Sequence, residues 1–489
     1  MEDGRRRWAT LLAVSAAQLL VVLDGTIINI ALPSAQHALG MSDTARQWAI
    51  TAYALAFGGL LLIGGRISGA VGHRRTFIAG LLGFAGSSAL GGAATSPEML
   101  FGARALQGVF AAALAPAGLS LLTISFTGGR ERGRAFGVFA AVGAAGSAIG
   151  LIAGGLLTEY ASWRWCLYVN VPIALLAVLG AALVPRDQPN RRGQGLDVPG
   201  ALLSAAGFAA VVYAFAEAES DKRNSALALL AGVVLLTLFV IVELRTRRPL
   251  LPMRILLHRA RAGAFLSITL MFVAMFGFYL FMSYYTQTVL GYSPVEAGLT
   301  LIINALAALL ASTLIAGRLH GRVPPAALIL PGLLAAAAGM LLLTRLTAST
   351  TDVFALYLVP ALVLTGLGIG LVMPPTAGLA TTAIDHQDIG SASAAYNASQ
   401  QLGAALGTAL LNTVAASTAA SYLVAHPQAT PTAAVVHGYT TALTIAFTIL
   451  LAAALLTTPL LLTRRSRRRP IEEPATDETE KSVEYGHST

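Results

Sequence analysis

Residues 8–32 read WATLLAVSAAQLLVVLDGTIINIAL, and this stretch decides the fold. Asp24 is its one charged residue, and about 20 mostly apolar residues suffice for an α-helix to cross the hydrocarbon core of a membrane. A charged start at 1–7 followed by an apolar run is also the layout of a signal peptide. However, Asp24 within the run and the many apolar segments that follow favour an uncleaved first helix.

The same pattern recurs along the whole chain. The protein is 56% hydrophobic and only 11% charged, whereas soluble domains average about 25% charged residues. We therefore predict an all-α integral membrane protein with 14 transmembrane helices. The predicted spans are 8–32, 46–65, 76–95, 99–122, 134–157, 165–184, 198–216, 226–243, 262–289, 297–317, 325–346, 353–380, 395–420 and 440–462.

The basic residues orient these spans. An even number of spans puts both termini on one side, and cytoplasmic loops are enriched in Lys and Arg. If the N-terminus is cytoplasmic, all but six of the 32 Lys and Arg residues lie on that side. The net charge of +9 then reflects the basic loops that orient the spans in the membrane, so we predict no binding of nucleic acid. The expected location is the bacterial cytoplasmic membrane, with multiple spans and both termini cytoplasmic.

An internal repeat suggests how the spans are grouped. Gly133, Gly146 and Gly150 recur, with the same spacing, as Gly390, Gly403 and Gly407, and the sequence GRI at 65–67 resembles GRL at 317–319. Chance is the alternative, since glycine is abundant. The simplest organisation is two similar six-helix bundles around a central cavity, a known alternating-access architecture. It comprises a six-helix bundle at 1–190, a two-helix insertion at 191–250, a six-helix bundle at 251–463, and a basic then acidic disordered tail at 464–489.

Signals of enzymatic chemistry are absent from the sequence. A phosphate-binding loop needs a lysine after a Gly-rich turn, and the two lysines, Lys222 and Lys481, lie in polar loops. The single cysteine, Cys166, excludes an intramolecular disulfide and a cysteine-built metal site. We predict no enzyme activity, no cofactor and no metal, so any transport would draw on an ion gradient.

Two charged residues lie well inside the predicted spans, Asp24 and Arg104. A charge at such a depth is costly and usually marks an ion path or a paired site. Asp24 lies about 13 Å from the outer end of its span, at 1.5 Å per residue. Both residues are therefore expected in the outer half of the membrane. We predict that they couple transport to protons, because burial raises the pKa of a carboxyl group and a nearby arginine lowers it; a fixed ion pair is the alternative.

Polar stripes on the helices are candidate linings of a substrate cavity. Asn397, Gln400 and Gln401 share one face of their span, as do Tyr279 and Gln287. Either stripe could instead be hydrogen-bonding glue between helices. Gln107 lies on the face of Arg104. The predicted cavity residues are Asn29, Tyr53, Gln107, Tyr279, Gln287, Asn397, Gln400 and Gln401, a set that suits poorly hydrated ligands.

Several motifs resemble the major facilitator superfamily, and specifically its fourteen-span drug:proton antiporter family. They include LDGTIINIALP at 23–33, RALQG at 104–108, the stretch from SWRW at 162–165 to NVP at 170–172, LDVPG at 196–200 and GYSP at 291–294. The resemblance covers about 8–462. It implies a proton-transfer role for Arg104.

The resemblance also implies which residues control conformational change, with two departures. The loop after the second span keeps Gly65, Gly72, Arg74 and Arg75, but Gly69 stands where the family usually has an acidic residue. The antiporter signature of the fifth span keeps Gly150, Gly154 and Gly155, but has Leu151 in place of proline. A proline bends a helix, so this span is expected to be stiffer than in its relatives.

Three functions remain open from the sequence. The leading hypothesis is a proton-coupled antiporter that exports hydrophobic drugs or antibiotic-like metabolites. The alternatives are a major facilitator transporter for another solute, by uptake or without coupling, and a non-transporting membrane sensor. The expected partners are small hydrophobic substrates, protons and the lipid bilayer, with no obligate protein partner.

Overall fold

A computed structural model describes residues 2–41, 43–127, 129–182, 184, 197–216, 221–246, 249–347, 352–382, 384–385 and 388–462. This part of the chain is helical throughout and contains no β-strand. Its helices are α1 (Glu2–Leu39), α2 (Asp43–Val71), α3 (His73–Gly92), α4 (Pro97–Ser125), α5 (Gly129–Tyr160), α6 (Trp165–Tyr168), α7 (Asn170–Ala182), α8 (Val198–Ala216), α9 (Lys222–Arg245), α10 (Met253–Leu257), α11 (Arg259–Tyr284), α12 (Pro294–Leu310), α13 (Gly317–Leu319), α14 (Ala326–Leu343), α15 (Val359–Ala380), α16 (Ile389–Ala425) and α17 (Pro431–Leu461).

The predicted spans coincide with these helices. Within the described residues, eleven helical segments are long and apolar enough to cross a membrane. They are α1, α2, α4, α6 with α7, α9, α11, α12 with the π-helical turn and α13 that follow it, α14, α15 with the π-helical turn before it, α16 and α17. The other three predicted spans fall on α3, α5 and α8, which lie outside this set. The number of helices that cross the membrane therefore remains a prediction.

The helices depart from the predicted spans in a few places. The sixth span is broken between α6 and α7 at Val169, and π-helical turns occur at Tyr285–Val289, Ala311–Ala316 and Phe354–Leu358. A π-turn places one extra residue in the helical repeat and often lies near a functional site. The predicted disordered tail at 464–489 lies outside the described residues.

Helix contacts follow a similar scheme at the two ends of the chain. α1 packs against α5 and α7, and α2 against α4, while α11 packs against α16 and α17, and α12 against α15. α8 and α9 pair with each other, and α8 also packs against α2. The two ends of the chain meet through α5 with α12, α16 with α2, and α16 with α4.

Glycine permits the closest of these approaches. A Cβ on Gly108 of α4 would lie 2.5 Å from Tyr53 O and 3.0 Å from Phe57 N of α2. A Cβ on Gly366 of α15 would lie 2.8 Å from Ala307 Cβ of α12. Any side chain at these two positions would force the helices apart, which explains why small residues line such interfaces.

Candidate functional site

Asp24 is the centre of a buried polar cluster formed by α1, α4 and α7. Its carboxylate has no solvent exposure. Arg104 Nη1 donates to Oδ2 over 2.5 Å, and Gln107 Nε2 donates to Oδ1 over 3.0 Å. Asn170 Nδ2 donates to Oδ1 over 2.8 Å. The structure therefore brings the two charges predicted from the sequence into one ion pair.

Arg104 uses the rest of its guanidinium group to contact α2 and its own helix. Its Nε donates to Ala49 O over 3.1 Å, and its Nη1 also donates to Gln107 Oε1 over 2.9 Å. The ring of Tyr53 lies 4.6 Å from Cζ, which adds a cation–π attraction. Arg104 is only 1% exposed, so the protein rather than water compensates its charge.

Asn170 and Ser88 belong to this cluster, although the sequence analysis did not propose either as a site residue. Asn170 Nδ2 donates to Ser88 Oγ over 3.0 Å as well as to Asp24, and Ser88 Oγ donates to Leu167 O over 2.7 Å. The available signal for Asn170 was an amide at the start of the apolar helix α7. Ser88 gave no signal, because a serine inside a helix commonly bonds its own backbone.

Two atoms at the edge of this cluster are buried without a hydrogen-bond partner among the described residues, Tyr53 Oη and Asn170 Oδ1. An unsatisfied buried polar atom costs about 1–3 kcal/mol. Such atoms mark positions at which a polar group of another molecule would be stabilised. The cluster thus combines a carboxylate, a fixed cation and unused polar atoms in one buried place.

A second buried cluster lies between α11, α12 and α15, and it contains one of the predicted cavity residues. Tyr279 Oη donates to Asn304 Oδ1 over 2.8 Å. Asn304 Nδ2 donates to Thr365 Oγ1 over 2.8 Å and to Leu362 O over 3.1 Å. Asn304 and Thr365 are buried. Neither was predicted, since a neutral polar residue in an apolar span is common.

The remaining cavity residues are dispersed over the structure. Asn397 is half-buried and donates to Ser393 O of its own helix over 2.9 Å, while Gln400 is buried and hydrogen-bonds Tyr396. Gln401 and Gln287 are half-buried, the latter within a π-turn. The side chain of Asn29 lies outside the described residues. Of the predicted cavity set, the structure brings Tyr53 and Gln107 to Asp24, and places Tyr279 in the second cluster.

The glycines of the fifth span pack α5 onto α1 beside the Asp24 cluster. A Cβ on Gly150 would overlap Thr26 Oγ1 and lie 3.1 Å from Leu23 O, next to Asp24. A Cβ on Gly154 would lie 3.1 Å from Ile30 Cβ, whereas one on Gly155 would reach only Val295 of α12, at 3.7 Å. The side chain of Leu151 lies outside the described residues.

Of the predicted gating residues after the second span, Gly72, Arg74 and Arg75 lie at the turn between α2 and α3, whereas Gly65 lies within α2. Gly72 has a φ of 108°, a conformation that L-residues with a side chain rarely adopt. Arg74 joins this turn to α7, donating to Ala181 O over 3.0 Å and to Ala182 O over 2.8 Å. Arg75 is exposed.

The two ends of the chain meet crosswise at the predicted cytoplasmic side. A Cβ on Gly65 of α2 would lie 2.6 Å from Gly390 O and 2.5 Å from Ala394 Cβ of α16. A Cβ on Gly133 of α5 would lie 3.1 Å from Gly317 O and would overlap the side chain of His320. Gly65 and Gly317 begin the two copies of one repeated motif, and Gly133 and Gly390 begin the two copies of the other. Each motif in the first half of the chain therefore contacts the other motif in the second half.

Polar contacts also join the two ends of the chain here, at what we call the inner contact, where α2 meets α16 and α5 meets the segment at 317–320. Arg132 Nη2 donates to Thr381 Oγ1 over 2.9 Å, and Ser120 Oγ donates to Ser393 Oγ over 3.2 Å. Burial, aided by the charge of Arg132, lowers the pKa of His320 below its ordinary value. His320 is therefore neutral at neutral pH. Among the described residues, no group of three or more His, Cys, Asp or Glu side chains could hold a metal ion.

Comparisons with known proteins give consistent results. The family profile described as Major Facilitator Superfamily matches residues 14–408. The puromycin resistance protein pur8 of Streptomyces alboniger is 53% identical over 455 residues, which cover 92% of this chain and 90% of that protein. The cephamycin export protein CmcT of Amycolatopsis lactamdurans is 37% identical over 402 residues, which cover 81% of this chain and 82% of that protein. The solved proton:xylose symporter XylE superposes with a TM-score of 0.62 at 17% identity, covering 93% of this chain and 95% of that one.

Proposed function

Because the chain belongs to the Major Facilitator Superfamily, we propose that it is a proton-coupled antiporter. In this proposal it exports hydrophobic, antibiotic-like compounds across the bacterial cytoplasmic membrane. The observation that carries the proposal is the buried carboxylate of Asp24, held by Arg104, Gln107 and Asn170. An ionisable group without solvent exposure in the core of a transporter is the kind of group that serves as a proton site.

The fourteen-span, two-bundle organisation forms part of this proposal. The eleven candidate spans together with α3, α5 and α8 make up the fourteen. The repeat supports two related bundles, at 1–190 and 251–463. Gly146 and Gly150 pack α5 onto α1, and the corresponding Gly403 and Gly407 pack α16 onto α11. The segment 191–250 is then an insertion outside both bundles, and both termini lie in the cytoplasm.

The proton cycle follows from the two states open to the Asp24 carboxyl. Arg104 and the amide donors of Gln107 and Asn170 bind the Asp24 carboxylate, and the proposal assigns this arrangement to the state that has released its proton. When α1 and α4 move apart, Asp24 loses the positive charge and remains shielded from water, and it takes up a proton because a buried carboxylate without a partner is unstable. In the proposed cycle, Asp24 takes up its proton from the outer side and releases it to the cytoplasm, so protons move inward as substrate moves outward.

The substrate class follows from the relatives and from the polarity of the predicted cavity. The names of the two relatives refer to puromycin resistance and cephamycin export, which favours antibiotics as substrates. The cavity residues supply hydroxyl and amide groups rather than charges. A binding site of this kind suits small, mostly apolar molecules with a few hydrogen-bonding groups. Conformational gating is assigned to Gly65, Gly72, Arg74, Arg75, Gly150, Gly154 and Gly155.

The test uses everted membrane vesicles with an acidified lumen and puromycin as the probe. Adding puromycin to vesicles that contain the wild-type protein should release protons from the lumen, reported by a pH-sensitive dye, and should load puromycin into it. Asp24→Asn should reduce both signals to those of vesicles without the protein. Cephamycin and lincomycin form further arms that separate substrate choice from coupling.

The matched control is Asp221→Asn, the same change at the N-cap of α9. Asp221 accepts hydrogen bonds from the Arg223 and Asn224 backbone N–H groups over 3.0 and 3.1 Å, and asparagine caps a helix equally well. This variant should retain both signals. Full puromycin loading by Asp24→Asn protein, present in the membrane at wild-type amount, would exclude the proposed role of Asp24.

A further inference from the structure

Asp197 and Glu243 form a buried carboxyl pair outside the cluster described above. Asp197 precedes α8 and Glu243 lies near the end of α9, and they are 7% and 3% exposed. A Cβ on Gly200 would lie 2.7 Å from Asp197 Oδ2 and 2.6 Å from Glu243 Oε1. Because one oxygen of each carboxyl group lies within 3 Å of the same point, the two carboxyl groups are close neighbours.

Backbone N–H groups occupy the other oxygens of this pair. Glu243 Oε1 and Oε2 accept from Leu250 N over 3.1 Å and Leu251 N over 2.9 Å, and Asp197 Oδ1 accepts from Gly200 N over 3.0 Å. Asp197 Oδ2 is buried without a donor among the described residues. Neither carboxylate can donate a hydrogen bond when both are ionised, so a hydrogen bond between these neighbouring groups requires a proton.

We propose that Asp197 and Glu243 form a second proton-binding site, at the predicted cytoplasmic end of the two-helix insertion. One proton lies between the two carboxyl groups, and it leaves as a hydrated proton to the adjacent aqueous side. A metal cation fits this site poorly, because it would need several oxygen ligands and the surrounding groups are N–H donors. The proposal goes beyond the transport function and does not depend on Asp24.

The charged groups around the pair are few. Near this end of the surrounding elements, the charged residues that the structure describes are Arg66 toward the end of α2, Arg245 on α9, Arg254 on α10, and Asp385 and Asp388 before α16. Arg245 is exposed, and Arg254 is paired with Asp388 over 2.5 Å.

Leu250, whose backbone binds Glu243, also binds α16, the helix that packs against α2 at the inner contact. Leu250 N donates to Glu243, and Leu250 O accepts from Ser391 Oγ of α16 over 2.9 Å. Ser391 follows Gly390, which packs against Gly65 of α2. Loss of the proton would leave two adjacent negative charges, and Glu243 would move away and release Leu250. The protonation state of the pair is thereby connected to the inner contact between α2 and α16.

Infrared spectroscopy of the full-length protein in lipid nanodiscs tests the shared proton. At neutral pH, exposed carboxyl groups are ionised, so the band of a protonated carboxyl group reports buried ones. We expect this band in the wild type and in Asp24→Asn, and its loss in both Asp197→Asn and Glu243→Gln. Asp197→Asn keeps the oxygen that accepts from Gly200 N, and Glu243→Gln keeps one of the two oxygens that accept from Leu250 N and Leu251 N. Absence of the band from the wild type, or its persistence in both variants, would overturn the proposal, as would a band that appears only after removal of Na⁺ and K⁺.

Electron paramagnetic resonance distances between the end of α2 and the segment after α15 test the connection to the inner contact. Spin labels at Val71→Cys and Thr382→Cys, both exposed positions, are introduced together with Cys166→Ser. Raising the pH until the infrared band disappears should shift the distance distribution between the labels. Ser391→Ala should keep the band and lose most of the shift. A distribution that does not respond to pH, or an undiminished shift in Ser391→Ala, would overturn the connection.

Discussion

The two ends of the chain are alike where they meet and unlike in their buried polar clusters. At the inner contact, Gly65 faces Gly390 and Gly133 faces Gly317, so the repeat contributes the same motifs twice. Within the helices, the first cluster is built on an ion pair, Asp24 with Arg104. The second cluster, around Asn304, consists of neutral hydrogen bonds.

Under the proposed function, the cluster around Asp24 responds to protons and the neutral cluster around Asn304 does not. Tyr279, Asn304 and Thr365 lie on α11, α12 and α15, much as Asp24, Tyr53 and Arg104 lie on α1, α2 and α4. A neutral cluster keeps its hydrogen bonds over the whole physiological pH range. A buried ion pair depends on the protonation of its acid, and losing one member leaves an uncompensated charge. We therefore expect substitutions in the two clusters to differ in size and kind.

The largest difference is expected between Arg104→Gln and Asn304→Ala. Arg104→Gln leaves the Asp24 carboxylate buried without a cation, and breaking a buried pair costs about 3–5 kcal/mol. Asn304→Ala leaves neutral groups unsatisfied, which costs about 1–3 kcal/mol. Thermal unfolding of the purified proteins in detergent measures both losses.

A double variant serves as the control for this difference. In Asp24→Asn with Arg104→Gln, both charges are gone, so the protein should be more stable than Arg104→Gln alone. No double variant at Asn304 and Thr365 should recover stability in this way. Equal losses for Arg104→Gln and Asn304→Ala, with additive double variants, would mean that the two clusters are energetically alike.

A smaller effect is expected where the two ends of the chain are alike. Gly65→Ala places a methyl group against the Gly390 backbone, which cannot rotate away, and overpacking of this kind costs about 1–3 kcal/mol. The added methyl group destabilises the state in which α2 and α16 touch, so the spin labels at positions 71 and 382 should move apart. Gly86→Ala is the matched control, because a Cβ there meets nothing within 4 Å. An unchanged label distance in Gly65→Ala would show that α2 and α16 do not control the inner contact.

The sequence predicts the charged cluster well because a charge in an apolar helix has few explanations. Asp24 and Arg104 are visible by composition alone. The glycine repeat indicated two related bundles, but that its glycines contact one another was learned from the structure. The partners of Asp24 on α7 and α3 depend on how separate helices pack, which no local pattern encodes. Asn170 and Ser88 therefore became recognisable only in the structure.

The neutral cluster and the carboxyl pair were harder to predict for two different reasons. Asn304 and Thr365 are polar residues of a kind that spans tolerate singly, so their sequence positions do not reveal that they bind each other. Asp197 and Glu243 lie at the ends of α8 and α9, where a charge is ordinary because it can reach water. Only the packing of α8 on α9, with the return of the chain at 249–251, encloses them.

The smallest effect separates two tyrosines at corresponding places in the clusters. Tyr279 Oη donates to Asn304, so Tyr279→Phe should cost about 0.5–1.5 kcal/mol, the net value of one hydrogen bond. Tyr53 Oη is buried without a partner among the described residues, and its ring, which contacts Arg104, is retained in Tyr53→Phe. That variant should be as stable as the wild type or slightly more so. Thermal unfolding of the two variants side by side measures the difference, and a loss at Tyr53→Phe as large as that at Tyr279→Phe would show that the Tyr53 hydroxyl has a bound partner.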